Sequence, residues 1–309
     1  MDKSSQKYTA FIVPDGHYEF LRVPFGLCNS PAVRFQRLVN TIFRDLIREK
    51  IVLAYMDDLI VPSDDIESGI KNLKKVLATA SEAGLIINWK KCYFMQTIVE
   101  FLGHVISNGC VRPSDRKTEA VRRFPNLTNA KQVQSFLRLS GYFRKFIPGY
   151  STIARPLTNL LRANTKFYFG AAEKNAFVRL KNIMSEKSML YLYRSGAETE
   201  LHTDASALGY GAILLQRSSE DRNFHPVYYS SGKTTPAESK YASYEPEVLA
   251  IIKALKKFRV YLLGIAFTIV TDCRAFALTM NKKDLCVRVA RWALLLEEFN
   301  YRIEHRPTI

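Results

Sequence analysis

The chain has 309 residues, 47% of them hydrophobic, which suits two or three packed domains and excludes intrinsic disorder. Forty-five lysines and arginines against 29 acids give a net charge of +16, an excess that favours a polyanionic partner, either nucleic acid or an anionic membrane. The longest apolar runs, such as 51–55 and 59–61, fall far short of the roughly 18 to 20 residues a spanning helix needs, which excludes a transmembrane protein.

The polar start, Met1 to Lys7, has no apolar run behind it, so no secretory signal is expected. Residues 8–28 read as short extended segments broken at Pro14-Asp15-Gly16 and at Pro24. Asn29-Ser30-Pro31 opens a helix with Ser30 as cap and Pro31 in the first turn. Phe35, Leu38, Val39, Ile42, Phe43, Leu46 and Ile47 recur at three and four, the spacing of one buried stripe. Two β-rich runs, Ile51 to Tyr55 and Leu59 to Val61, flank Met56-Asp57-Asp58 and predict a hairpin with carboxylates at its tip. Ile66, Ile70, Leu73 and Leu77 mark a second helix that Gly84 ends. A further hairpin is expected at 99–111, turned by Asn108-Gly109.

From Pro113 the chain becomes helical and basic, with Arg116, Lys117, Arg122, Arg123, Lys131, Arg138, Arg144 and Lys145. These residues suit either an ordinary solvated face or contacts to a phosphate backbone. One more helix, carried by Ala172, Phe177, Leu180, Ile183 and Met184, leads to about residue 195. Beyond it the pattern is strands near 198–204, 209–216 and 225–230, a helix at 244–262, a strand Phe267 to Thr271, helices to Glu298 and a last strand at 299–305. That order fits an α/β layer with helices packed on a central sheet. Lys256, Lys257 and Arg259 sit where they complement the helix dipole.

Five cysteines, Cys28, Cys92, Cys110, Cys273 and Cys286, are odd in number and widely spaced, so buried thiols are expected rather than disulfides or zinc ligands. His202, His225 and His305 lack metal-ligand spacing and read as structural.

Adjacent acids between apolar strands cost free energy unless something offsets their charge. A divalent magnesium ion with hard oxygen ligands does so, and the alternative is a solvated Asp-Asp turn. Tyr18 to Leu27, with Thr9-Ala10-Phe11, Asn29-Ser30-Pro31, Phe35-Gln36-Arg37, the tetrad Tyr55-Met56-Asp57-Asp58, Phe101-Leu102-Gly103-His104 and Tyr142 to Ile147, resembles the reverse transcriptase of gypsy-type long-terminal-repeat retrotransposons and their retroviral relatives. The 196–309 region is similar to the family's ribonuclease H domain through His202-Thr203-Asp204-Ala205-Ser206, Glu245-Pro246-Glu247-Val248-Leu249-Ala250 and Val270-Thr271-Asp272.

The resemblance implies an α/β (α+β) chain: a palm with remnant fingers at 1–112, thumb and connection at 113–195, and a ribonuclease H-like domain at 196–309. It implies RNA-directed DNA synthesis at Asp57 and Asp58 and hydrolysis at Asp204, Glu247 and Asp272, all five binding Mg2+ or Mn2+. Phe25, Gly26, Tyr55 and Met56 correspond to positions beside nucleotide and template. The implied partners are RNA template, DNA primer, RNA–DNA hybrid and dNTPs, with no membrane, in a dimer or a larger Pol polyprotein. The implied location is the cytoplasm, in a virus-like particle, and the nucleus.

The family's first polymerase carboxylate lies in a motif of the kind Asp-Leu-x-x-Gly-Tyr ahead of Thr9-Ala10-Phe11, and Asp2 and Asp15 lack that context. Its aromatic steric gate and most of the fingers belong to the same missing stretch, and the fourth ribonuclease H acid follows a segment like Glu304-His305-Arg306-Pro307. The expectation is a catalytically impaired fragment that extends a primer poorly. The alternative is a relic or domesticated chain that binds nucleic acid.

Overall fold

The computed structural model describes residues 1–24, 26–27, 32–186, 188–206, 208–241, 245–272 and 287–306. They pack as two units, Met1–Gln96 and Thr97–Ile309. The expected Ser30 cap and Pro31, and Cys28, Cys273 and Cys286, lie outside the described residues.

In the first unit, α1 (Lys3–Gln6) precedes the hairpin of β1 (Phe11–Val13) and β2 (Gly16–Tyr18), closed at Pro14-Asp15 as the turn chemistry predicts. The expected apolar helix is α2 (Ala32–Ile42) followed by α3 (Arg44–Arg48), separated at Phe43, whose backbone leaves helical geometry. β3 (Leu53–Tyr55), β4 (Asp58–Ile60) and α4 (Ile66–Glu82) complete the unit. Val39, Phe43, Ile51, Val52, Val76 and Ala80 form its core. Gly84, at φ +68°, ends α4 as expected.

Two stripe residues of α4 differ from the sequence reading. Ile66 and Ile70 are exposed, and the buried line runs through Gly69, Val76 and Ala80 instead. The missing side chain of Gly69 lets Ser63 pack against the helix, because a Cβ there would meet Ser63 Oγ at 2.7 Å. Leu38 of α2 is likewise exposed, while Val39 and Phe43 carry that face.

The second unit begins with β5 (Ile98–Phe101), β6 (His104–Ser107) and β7 (Cys110–Pro113), joined by two-residue turns, with β7 also pairing β8 (Leu190–Tyr191). Both turns, Leu102-Gly103 and Asn108-Gly109, have positive φ at both central residues, the geometry that matches strand twist. Helices α5 (Asp115–Arg122), α6 (Ala130–Tyr142), α7 (Tyr150–Ile153), α8 (Arg155–Asn159) and α9 (Ala171–Ser185) surround a core that includes Phe136, Phe143, Phe146, Leu157 and Leu180. Phe136 is fully buried and meets Phe177 edge to face, so Phe136→Ala would cost about 3–5 kcal/mol.

The β-β-β-α-β-α-β order follows as read: β9 (Thr199–Ser206), β10 (Gly209–Arg217), β11 (Phe224–Lys233), α10 (Glu245–Leu262), β12 (Ala266–Thr271), α11 (Val287–Leu296) and β13 (Asn300–His305). They form one mixed sheet in the order β11-β10-β9-β12-β13, antiparallel through β9 and parallel beyond it. α10 buries Val248, Ile251, Leu255 and Phe258 against Leu201, Ala212 and Leu214 on one face of the sheet. Near its end, Arg259 pairs with Glu298 and Lys257 lies over the Tyr228 ring, contacts more specific than the dipole role expected from sequence. Among the described residues no helix is long and apolar enough to cross a membrane. Cys92 and Cys110 are unpaired thiols, the second buried.

Candidate active sites

Strands β3 and β4 pair through Tyr55↔Asp58, which leaves Met56 and Asp57 as a two-residue turn and sets Asp57 and Asp58 side by side in solvent. Met56 takes a left-handed φ of 52°, a conformation that costs on the order of 1 kcal/mol for a residue with a side chain. Gln36 on α2 holds the turn: Met56 N–H donates to its Oε1, and its Nε2 donates to the Ala54 carbonyl at 3.2 Å. Sequence reasoning gave Gln36 no role, although it belongs to the quoted Phe35-Gln36-Arg37 segment. Tyr55 and Met56 are exposed beside the acids. Gly26, at φ +90°, has nothing within 4 Å of where a Cβ would sit, so a ligand could approach its backbone. Phe25 lies outside the described residues.

The second acidic group is built by three elements. β9 points Glu200, His202 and Asp204 to one face by its two-residue period, the face away from the Leu201 core. The parallel register with β12 pairs Val270 with His202, so two residues further on Asp272 comes level with Asp204. Glu247, in the first turn of α10, accepts a hydrogen bond from the Ala205 backbone. Burial, and then the charges of Asp272 and Asp204, push the Glu247 carboxyl up to about 7. Its Oε2 is buried without a hydrogen-bond partner. The three acids therefore sense one another, although no three acidic, His or Cys groups among the described residues stand within one metal-coordination shell. Neighbouring carboxylates repel one another, and an orphaned buried oxygen such as Glu247 Oε2 is the feature a cation would satisfy.

Residues beyond the sequence reading surround this group. The Arg306 guanidinium donates to both oxygens of buried Glu200, at 2.9 and 3.2 Å, and to Glu304. His202 Nε2 lies 2.7 Å from Glu200. Burial alone would raise the Glu200 carboxyl, but hydrogen bonds from Arg306 and His202 outweigh it and hold it below the ordinary range. The Arg306 backbone N–H donates to the Thr271 carbonyl, and a His305 ring nitrogen lies 3.0 Å from the Asp272 carbonyl oxygen, so β13 anchors the strand end that carries Asp272. His225 pairs with Asp221 and stacks on Tyr191, whereas His202 lines the cavity beside the acids. A cavity of about 410 Å3 opens over Asp204, Asp272, Gly211 and Arg306.

On the β5–β6 hairpin, Tyr142 O–H donates to the Leu102 carbonyl at 2.7 Å, and the His104 ring packs among Tyr142, Phe143 and Phe146. Burial, and then the charge of Lys145, hold His104 below the usual histidine range. Lys117, Arg138 and Tyr142 line a cleft of about 650 Å3 beside it. Not every basic residue of this region faces a free surface: Arg122 and Arg123 pair with Glu119, and Arg144 donates to the Ser231 carbonyl.

Residues 1–106 match the family of reverse transcriptases (RNA-dependent DNA polymerases), and residues 194–299 match the RNase H-like domain found in reverse transcriptase. The chain is 37% identical over 306 residues to the retrovirus-related Pol polyprotein from transposon 297 of Drosophila melanogaster, covering 99% of this chain and 28% of that protein. It is 35% identical to the Pol polyprotein from transposon opus of the same fly, covering 31% of it, and 35% identical to the transposon Tf2-3 polyprotein of Schizosaccharomyces pombe, covering 23% of it. The chain thus spans less than a third of these relatives. In fold it is similar to the foamy viral protease-reverse transcriptase: in a complex with double-stranded DNA the TM-score is 0.84 at 22% identity, over 100% of this chain and 54% of that one. In a complex with an RNA/DNA hybrid the TM-score is 0.80, again at 22% identity, over 100% and 42%. With a polymerase-type acidic hairpin followed by a ribonuclease H-type sheet, the chain belongs to the reverse transcriptase and ribonuclease H family of retrovirus-related transposon Pol polyproteins.

Proposed function

We propose that the chain serves a retrotransposon of the gypsy type, as the part of its Pol polyprotein that copies RNA into DNA and degrades the RNA strand of the resulting hybrid. The carrying observation is Glu247, whose carboxyl is raised to about 7 by burial and by Asp272 and Asp204, and whose Oε2 has no protein partner. Such a group favours a divalent cation. Enzymes of the two matched families generally use divalent metals. Here Asp204, Glu247 and Asp272 would hold Mg2+ or Mn2+ for hydrolysis, and Asp57 and Asp58 for synthesis. Bound there, the ions would supply an activated water and charge neutralisation at the phosphoryl group.

The chain's own residues support the rest of the reading. Gln36 fixes the turn that presents Asp57 and Asp58, while Tyr55, Met56 and Gly26 leave open surface for a nucleotide and template. Glu200 and Arg306 fix β13 against the strand end that carries Asp272. Structural neighbours hold double-stranded DNA and an RNA/DNA hybrid, and the charge of +16 suits the same partners for this chain. dNTPs as substrates, and a dimer or a larger polyprotein as the assembly, belong to the same proposal.

The test is cleavage of a labelled RNA–DNA hybrid by the 309-residue chain in Mg2+, beside Asp204→Asn and Glu247→Gln. Loss of cleavage, and of the Mg2+-induced rise in melting midpoint, in both variants is expected. Cleavage at the parent rate in either variant, or a parent whose melting midpoint does not rise with Mg2+, would overturn the reading; the second result would favour a non-catalytic binding chain.

A further inference from the structure

One wall beside the ribonuclease-type acids comes from outside the sheet. The segment from Arg144 to Thr158 lies over β11, on the face that carries Asp204. Arg144 donates to the Ser231 carbonyl, Ser151 N–H donates to Ser231 Oγ at 3.0 Å, and the Lys233 ammonium donates to Thr158 Oγ1. Strand register sets Ser231, Gly211 and Asp204 in one row, and Lys233, Gly209 and Ser206 in the row beyond. At about 4.8 Å between strands, Ser231 stands roughly 10 Å from Asp204. Gly211 between them leaves open space where a side chain would be. A lane therefore runs between the carboxylates on one side and this wall on the other, and it coincides with the cavity of about 410 Å3 lined by Gly149, Gly211, Asp204 and Asp272.

The wall is basic. Arg155 lies one helical turn before Thr158, and Arg162 follows in the turn that continues α8, so both approach the ammonium that Thr158 holds. Burial first, then the charges of Arg162 and Arg155, hold Lys233 below the usual lysine range. Among the described residues no carboxylate forms an ion pair with any of the three. Three cations that repel one another without an internal counter-ion suit a polyanionic ligand.

We propose that Lys233, Arg155 and Arg162 bind a backbone phosphate of the RNA–DNA hybrid, other than the one presented to Asp204, Glu247 and Asp272. The site rests on the proposed hydrolysis of that hybrid. A nucleic acid is favoured over an acidic protein because the lane leads directly to acids suited to phosphodiester chemistry.

The experiment measures binding of a labelled 20-base-pair hybrid to the 309-residue chain in Ca2+ across a salt series. Arg162→Gln and Arg155→Gln are compared with Lys256→Gln, an exposed control on the helix covering the opposite face of the sheet. Each wall variant should make the slope of log K against log salt shallower by about 0.9 and weaken binding about fivefold at 0.15 M salt. Arg162→Lys should restore most of that loss, and Arg162→Gln should not lower the melting midpoint, since it relieves repulsion. Parent-like binding by both wall variants, or an equal loss in Lys256→Gln, would overturn the site. An acidic polypeptide that displaces the hybrid from the parent but not from Arg162→Gln would assign the cluster to protein instead, and also overturn it. Asp204→Asn in the same series reports separately: if it cleaves normally in Mg2+, the hydrolytic reading fails whatever the wall variants do.

Discussion

Replacing Glu247 with Gln should stabilise the metal-free protein at neutral pH while removing its metal response. The folded carboxyl sits at about 7 against an ordinary 4.5, so between those values the native state binds more protons than the unfolded chain. Its contribution is fully present below the unfolded value, declines as pH rises, and is lost above about 7. At about 1.36 kcal/mol per pH unit the whole effect would be roughly 3.4 kcal/mol. Glu247 is only half-buried, and solvent screening reduces that to about 1–2 kcal/mol. For a unit of this size the change is a rise of about 2–8 °C in melting midpoint at pH 8. Melting in EDTA from pH 4.5 to 8 should show the parent losing stability relative to Glu247→Gln, and added Mg2+ should close the gap by raising the parent alone. Parallel pH profiles in EDTA would refute the claim that the three acids repel in one site.

Three further outcomes follow from the same contacts. Arg306→Ala leaves the nearly buried Glu200 carboxylate with His202 alone and should cost about 2 kcal/mol, below the value for a fully buried pair because the arginine is half-exposed; chemical denaturation reads this, and the parent's advantage should vanish as pH falls through the lowered Glu200 value. Gln36→Ala removes two hydrogen bonds from the Asp57 turn, each worth about 1 kcal/mol, and should raise amide exchange at Met56, whereas Gln36→Glu keeps the acceptor and should exchange at an intermediate rate; equal exchange in all three proteins would remove Gln36 from the site. The charge of +16 predicts binding to hybrid and duplex alike, with affinity falling roughly a thousandfold between 50 and 200 mM salt if about six phosphates are contacted, and a flat salt profile would reject it.

What was legible in the sequence was local. Asn108-Gly109 announced its turn because both residues tolerate positive φ, whereas the Leu102-Gly103 turn of the same geometry is led by a leucine and carried no such signal; the apolar runs around Asp57-Asp58 announced their hairpin. The seven elements from β9 to β13 were readable because strands alternate and α10 carries an apolar stripe from Val248 to Leu262. The buried side of α4 was not, since a glycine at position 69 carries no hydrophobic signal yet decides how closely Ser63 packs.

The acids of the second site show the same division between type and partnership. Asp204, Glu247 and Asp272 were found through neighbouring residues, but their convergence depends on long-range pairing: β9 with β12, and the first turn of α10 against Ala205. Arg306 and Glu200 are 106 positions apart in sequence, and nothing in either neighbourhood marks them as partners. Once the parallel strands are in register the pairing becomes legible, because Glu200 lies two positions from His202 and four from Asp204 on one face of β9, while Arg306 continues β13 beyond His305. A charge buried on the face that carries the metal-seeking acids needs its own counter-ion, or it would compete for the cation. Glu200 and Arg306 settle that charge internally, so Glu247 Oε2, a buried carboxylate oxygen without a hydrogen-bond partner, does not have to compete with Glu200 for a cation.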